Sequence, residues 1–182
     1  MIELDLPMQR PSISVLVPAH NEQRFLGRCL RSVLSQSIDR ADYEVIVIND
    51  CSTDNTARTL EHFRGEIVLL NNEHNIGLPG SLNRGIAKAT GQFVVRIDAD
   101  DYVLTDYLHL LSVCLRLNNN LDAIACDYEL IDDRQNTVQH MNCIEHPIGC
   151  GIMYRIEQLI DIGLYDEQFL IREDEDLRIR FL

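Results

Sequence analysis

Three carboxylates crowd one short stretch, Asp98-Ala99-Asp100-Asp101, directly after the apolar run Gln92 to Ile97, whose only charge is Arg96. Carboxylates packed this closely repel one another unless a cation lies among them. A hard, oxygen-seeking divalent ion, magnesium or manganese, suits them, because such ions take one or two carboxylates together with phosphate oxygens. The chemistry this permits is the holding of a metal-bridged diphosphate. A solvated acidic turn is the alternative, and the triplet alone leaves both readings open.

Other residues have chemistry open to more than one role. Asp50 follows the apolar run Glu44 to Ile48 and could accept from the imide N–H of a uracil ring, while Ser52 and Asp54 could cap the next helix; an Asx-type turn accounts for all three equally well. Glu173-Asp174-Glu175-Asp176 is the densest acidic run, read either as helix N-terminal charge or as the source of a general base. His140, Cys143, His146 and Cys150 have side chains that bind zinc, but their spacing fits no established zinc pattern, so no structural zinc is expected. The chain contains no GxxxxGK, GxGxxG, GxSxG or HExxH.

The elements that must position these groups follow from periodicity. Ile13 to Val17 reads as a strand ended by Pro18, followed by a helix with Phe25, Leu26, Cys29, Leu30, Val33 and Leu34 on one face and Asn21 as its cap. A second strand at Glu44 to Ile48 leads to a helix reaching about Phe63. A third strand, Ile67 to Leu70, leads to a helix from about Gly80 to Thr90, stopped by Gly91, and a fourth strand spans Gln92 to Ile97. This alternation predicts a mostly parallel, Rossmann-like α/β sheet with helices on both faces. Beyond Asp101 a mixed second half is expected: a helix at about Thr105 to Leu117, strands at Asp122 to Tyr128 and Thr137 to Met141, a mobile loop at His146 to Gly151, a strand at Ile152 to Tyr154 and a short helix at Glu157 to Ile160. Glu173 to Leu182 fits a strand by its alternation and a helix by its charge order.

Ligands of open parallel sheets collect at the carboxyl ends of the strands. Pro18 to Glu22, Asn49 to Asp54 and Asp98 to Asp101 are therefore expected to converge on one edge.

At 182 residues and 46% hydrophobic content the chain suits a single domain, 1–182, with one sizeable core. No apolar stretch approaches the roughly 18 residues that span a bilayer, and Met1 to Asp5 does not read as a secretory leader. A cytoplasmic location is expected, with the inner membrane face as a peripheral alternative, and the six cysteines read as free thiols. The net charge of −13 excludes nucleic acid as a partner and requires a cation between the protein and any anionic small substrate.

Taken together, Ile13-Ser-Val-Leu-Val-Pro-Ala-His-Asn-Glu22, Glu44 through Thr56, Asn75 through Gly91 running into Arg96-Ile-Asp-Ala-Asp-Asp101, and Gly163 through Phe169 with Glu173 through Leu177 resemble the ordered motifs of glycosyltransferase family 2, inverting enzymes of the GT-A fold. The resemblance covers the chain from Pro11. It implies a nucleotide-sugar-binding half at about 11–101 and an acceptor-side half at about 102–182. It also implies a nucleotide diphosphate sugar donor, UDP-linked, held by Pro18, Ala19, Asn21, Glu22, Asp50 and Ser52, with Asp50 at the base and Asp98 at the ribose. Asp100 would bind the metal, Asp101 would support it, and Asp174 would be the base that deprotonates a saccharide or glycolipid hydroxyl. Leu82 stands where some members have a phosphate-binding Arg, a contact then missing or supplied by Arg84 or Lys88. The chain stops at Leu182, where relatives add helices over the acceptor site, so a donor-binding domain that needs a partner is the alternative to an independent enzyme. A nucleotidyltransferase is a third reading, disfavoured because Pro18 to Glu22 is neither Gly-rich nor basic. Oligomeric state stays open, a homodimer included.

Overall fold

The computed structural model describes residues 11–169 and 171–181. The readings of Met1 to Asp5 and of Leu182 lie outside the described residues. In chain order the elements are β1 (Ile13–Ala19), α1 (Leu26–Leu34), β2 (Tyr43–Asn49), α2 (Thr56–Glu61), β3 (Val68–Asn71), α3 (Gly77–Lys88), β4 (Phe93–Arg96), α4 (Tyr107–Leu117), β5 (Ala123–Ala125), β6 (Tyr128–Ile131), β7 (Thr137–Met141), β8 (Ile152–Arg155), α5 (Ile156–Asp161) and α6 (Glu173–Phe181). Six strands form one sheet in the order β3-β2-β1-β4-β8-β5, and β6 with β7 forms a separate hairpin. The first four pair in parallel, whereas β8 runs antiparallel to both β4 and β5. This is the expected α/β architecture, with a mixed second half joined to the parallel one.

Helices cover both faces because each strand is apolar on both sides. Ile13, Val15 and Val17 of β1 and Val45 and Val47 of β2 face α1, α2 and α4, against Leu26, Cys29, Leu30, Leu60 and Leu108. Leu16, Ile46, Ile48 and Val94 face the opposite layer, built from Leu82 and Ile86 of α3, Leu159 of α5 and Leu177 of α6. Leu26, Cys29, Leu30 and Val33 are all fully buried, as the spacing of α1 predicts.

Several local expectations are corrected. β1 does not end at Pro18 but continues to Ala19, paired with β2 throughout. Asn21 does not cap α1: it adopts a left-handed conformation, φ 60°, and its Oδ1 accepts from the amides of Thr53 and Asp54. α1 starts instead from the Glu22 carbonyl, which accepts from the Phe25 and Leu26 amides. α3 has already ended at Ala89, so Gly91 does not stop it. Gly91 is needed because a Cβ there would sit 2.7 Å from the Ser14 amide nitrogen.

The run expected as one strand from Asp122 to Tyr128 is broken at Cys126-Asp127. There the Asp127 carboxylate accepts from the Cys143 amide and turns the chain out of the main sheet into the hairpin. Glu173 to Phe181 is helical. Its apparent alternation fails because Ile179 is 74% exposed, whereas Leu177 and Phe181, four apart, share the buried side, with Phe181 edge-on to Tyr154. Acids in its first turn and Arg178 and Arg180 in its last suit the helix dipole.

Candidate functional site

β1 lies at the point where the strand order reverses: β2 and β3 are laid down on one side of it and β4 on the other. A parallel sheet opens a crevice at such a point, beyond the strand ends. The last rung between β1 and β4 is the Ile97 amide donating to Leu16 O at 2.9 Å. Ala19 O, one step out of phase, accepts from the Asp50 amide on the β2 side. The backbone of Pro18 therefore faces β4, beyond the last rung. A residue without an N–H is tolerated there because no partner strand asks for one.

The three polar loops meet around this crevice. Pro18, Ala19, Glu22, Asp50, Asp98 and Asp100 line it, as expected, together with His20, Leu78, Ser81 and Arg96. Asn21 and Ser52 do not line it. They stitch its rim, the Asn21 amide donating to Ser52 Oγ at 3.0 Å. Asp54 caps α2, accepting from the Thr56 amide at 2.9 Å. His20 Nδ1 lies 2.6 Å from Asp50 O; a carbonyl only accepts, so this nitrogen carries the proton.

Asp50 is 4% exposed and already hydrogen-bonded. Its Oδ1 accepts from Asn72 Nδ2 (2.7 Å) and the Ile76 amide (2.9 Å), and its Oδ2 from the Gly77 amide (2.9 Å). With two acceptor sites per oxygen, Oδ2 retains one. Ser81 Oγ, 1% exposed, accepts the second hydrogen of the same Asn72 Nδ2 at 3.1 Å.

At the end of β4 the Arg96 guanidinium holds both oxygens of Asp98, at 2.6 and 3.1 Å, and donates to Glu173 Oε1 at 3.0 Å. Burial works against its charge, but Asp98 beside it outweighs that and holds its pKa above the ordinary arginine value. The loop carrying the acids rests on α1: Arg28 Nη2 donates to Asp100 O at 2.7 Å, and Cys29 Sγ to Asp98 O at 3.5 Å. Glu22 has a raised pKa because of burial first and then the nearby Asp100, Asp54 and Asp98. Negative charge thus accumulates at one spot, as a site completed by a cation would require.

Among the described residues, the metal-capable side chains that converge within 4.8 Å are Asp98, Asp101 and Cys150. Cys150 Sγ donates to Asp101 Oδ2 at 3.3 Å. Asp100 stands outside this trio, exposed on the crevice side. The carboxylates fit magnesium or manganese, whereas a thiol is a poor ligand for either. Among the described residues, His140, Cys143 and His146 fall outside this cluster; the His140 ring lies 3.0 Å from Glu129 Oε1, and the Cys143 backbone amide donates to Asp127. Leu82 is fully buried, and neither proposed substitute for the missing arginine lines the crevice. Arg84 donates to Asn71 O and Asn72 Oδ1, and Lys88 is exposed at the end of α3. The guanidinium in the crevice is that of Arg96, which sequence reasoning noted only as a lone charge. An arginine inside the otherwise apolar Phe93 to Ile97 was the available signal, since a buried guanidinium needs carboxylate partners.

A family model described as glycosyl transferase family 2 matches residues 14–172. The chain belongs to that family, whose curated members are named as glycosyltransferases. It is 37% identical over 93 residues to the poly(ribitol-phosphate) beta-N-acetylglucosaminyltransferase TarS of Staphylococcus aureus, covering 50% of this chain and 16% of that one. It is 31% identical over 122 residues to the Escherichia coli UDP-Glc:alpha-D-GlcNAc-diphosphoundecaprenol beta-1,3-glucosyltransferase WfgD, covering 66% of this chain and 47% of that one. The chain thus spans less than half of either relative.

Among solved structures, S. aureus TarS 1–349 in complex with UDP-GlcNAc superposes with a TM-score of 0.79 at 24% identity, over 93% of this chain and 52% of that one. A Pyrobaculum calidifontis mannosyltransferase in complex with GDP-Man and Mn2+ superposes at 0.71 and 23% identity, over 87% of this chain and 48% of that one. These likenesses establish the GT-A fold. No described helix is long and apolar enough to cross a membrane.

Proposed function

We propose that the crevice between β1 and β4 binds a UDP-sugar and that the protein transfers the sugar, with inversion, to a hydroxyl of a saccharide or glycolipid. The observation that carries this reading is the convergence of Asp50, Asp98 and Asp100 from two strand ends onto one crevice at the sheet's switch point. The UDP-GlcNAc complex of TarS and the UDP-glucose in the name of WfgD favour the uridine donor.

The residues divide the work. The free acceptor site on Asp50 Oδ2 takes the imide N–H of the base. Asp98, held by Arg96, accepts from the ribose hydroxyls. Pro18, Ala19 and Glu22 wall the nucleotide, while Asn21 and Ser52 keep the two loops around it in register. Asp100, with Asp98 and Asp101 beside it, would hold a magnesium or manganese ion, which when bound neutralises charge on the departing diphosphate. Asp174, in the first turn of α6, accepts the acceptor hydroxyl proton as that oxygen attacks the anomeric carbon. A single displacement inverts that centre. Residues 11–101 supply the donor side, and residues 102–169 and 171–181 supply the described part of the acceptor side.

Thermal unfolding with uridine, guanosine and cytidine diphosphates, each with manganese, tests the reading. A ligand at ~100 times its Kd adds about 2.7 kcal/mol of stability, so a uridine-selective shift is expected. Equal shifts with all three bases would sink the role of Asp50, and no shift with any would sink the site.

A further inference from the structure

Arg96 joins parts of the chain that are 77 residues apart. It is the last residue of β4 and 9% exposed; Glu173, the first residue of α6, is 7% exposed. Two carboxylates therefore share one buried guanidinium: Asp98 from the donor crevice, and Glu173 from the helix that carries Asp174. Such pairs yield little net stability after desolvation, but their directed hydrogen bonds fix geometry.

The rest of α6 is attached farther along. Leu177 is buried against the sheet, and Arg180 donates to Ile162 O and Leu164 O. Among the described residues, the side-chain hydrogen bond that reaches the first turn of α6 from another element is the one from Arg96. The 146–151 loop closes the arrangement. Gly151 donates its amide to Arg96 O at 3.2 Å, and Gly149 packs against both Arg96 and Asp174. A Cβ on Gly149 would fall 2.9 Å from Arg96 Nη1 and 2.8 Å from the Asp174 Cβ, so the guanidinium and the proposed base both face the bare side of this glycine.

We infer that Arg96 is a positioning residue that holds the Asp98 carboxylate and the first turn of α6 in one frame, setting Asp174 relative to the bound donor. The inference rests on the donor-site reading and on Asp174 as base. Glu173 is then the far anchor of the link: its loss leaves Asp98 held but frees the start of α6. Lysine cannot replace Arg96, because an ammonium lacks the planar fork that serves two carboxylates at once.

The test uses the full chain with UDP-GlcNAc and manganese, reading UDP affinity by calorimetry, UDP release as turnover, and amide hydrogen exchange at residues 173–176. Glu173→Ala is expected to keep UDP affinity within about twofold while lowering turnover on the order of 10²-fold, the cost of a misplaced catalytic group, and to speed exchange at 173–176. Glu173→Gln, which keeps an acceptor oxygen, is expected to recover most of the lost turnover. Arg96→Lys is expected to weaken both affinity and turnover. Glu173→Ala losing UDP affinity as steeply as turnover would overturn the inference, since the link would then only shape the crevice. Wild-type turnover in Asp174→Asn would overturn the base reading separately. Unchanged exchange at 173–176 in Glu173→Ala would overturn the Arg96 link itself.

Discussion

Asp50 at the end of β2 accepts the amide hydrogen of Gly77 at the start of α3, 2.9 Å away, and its other oxygen takes the neighbouring Ile76 amide. The residue proposed to read the base is thus also the anchor of the helix that walls the crevice. Asp50→Ala orphans the Ile76 amide, costing about 1–3 kcal/mol if it is left buried and unpaired, while the Gly77 amide keeps Asn75 Oδ1 and Asn72 Nδ2 keeps Ser81 Oγ. The fold is expected to weaken measurably in urea, and UDP affinity to fall further than pyrophosphate affinity. Equal losses for the two ligands in calorimetry would confine Asp50 to the anchoring role.

Asp100 is exposed, and among the described residues its carboxylate accepts no hydrogen bond, the Arg28 contact being to its backbone oxygen, so its side chain can be changed with little effect on folding. Asp100→Ala is expected to abolish manganese-dependent UDP binding while leaving the unfolding midpoint without ligand within about 0.5 kcal/mol of wild type. If Asp101→Ala does this and Asp100→Ala does not, the metal sits on the trio side, with Asp98 and Asp101.

Asp174→Asn keeps the size of the side chain and removes its basicity. It is expected to bind UDP and manganese normally and to turn over about 10²- to 10⁴-fold more slowly. Single-turnover rates for the amide variants of all four acids, 173–176, check the assignment. A wild-type rate in Asp174→Asn with a loss at Asp176→Asn would move the base by two residues.

Glu22 gives a pH signature with a definite sign. Its pKa is raised in the fold, through burial first and then Asp100, Asp54 and Asp98, so the folded protein keeps this proton when the unfolded chain has released it. Well below the ordinary glutamate value of about 4.5 both states are protonated and Glu22 contributes no difference. As pH rises from there through the raised folded value, ionisation costs stability. Glu22→Gln is therefore expected to gain on wild type as pH climbs from the ordinary glutamate value through the raised folded one, with the gap narrowing when manganese is present. A gap that is flat with pH in paired thermal scans would refute the coupling.

The sequence made the sheet and the crevice legible because both depend on short-range order. Runs such as Val45 to Ile48 are apolar on both sides, as central parallel strands must be, and the polar residues that follow them fall at strand ends wherever the strands lie. The links across the molecule were not legible. Nothing near Arg96 identifies Glu173 as its partner, and Asn21 looks like a helix cap until the neighbouring loop offers it the Thr53 amide instead. The break at Cys126-Asp127 was hidden for the same reason: the amide that Asp127 accepts comes from Cys143, beyond a whole hairpin. Local propensity decided the elements, and distant hydrogen bonds decided their ends.

Pro18 has one more consequence. Parallel strands that diverge can zip together again when nothing occupies the space between them, and a crevice that closes in this way must be unzipped by each incoming ligand. Pro18 presents no N–H toward β4, so the next rung beyond Leu16 cannot form even if the strands approach. One rung of the ladder is thus withheld covalently, in the same way that an edge strand is protected from unwanted pairing. The proposed donor would enter there without that rung to break.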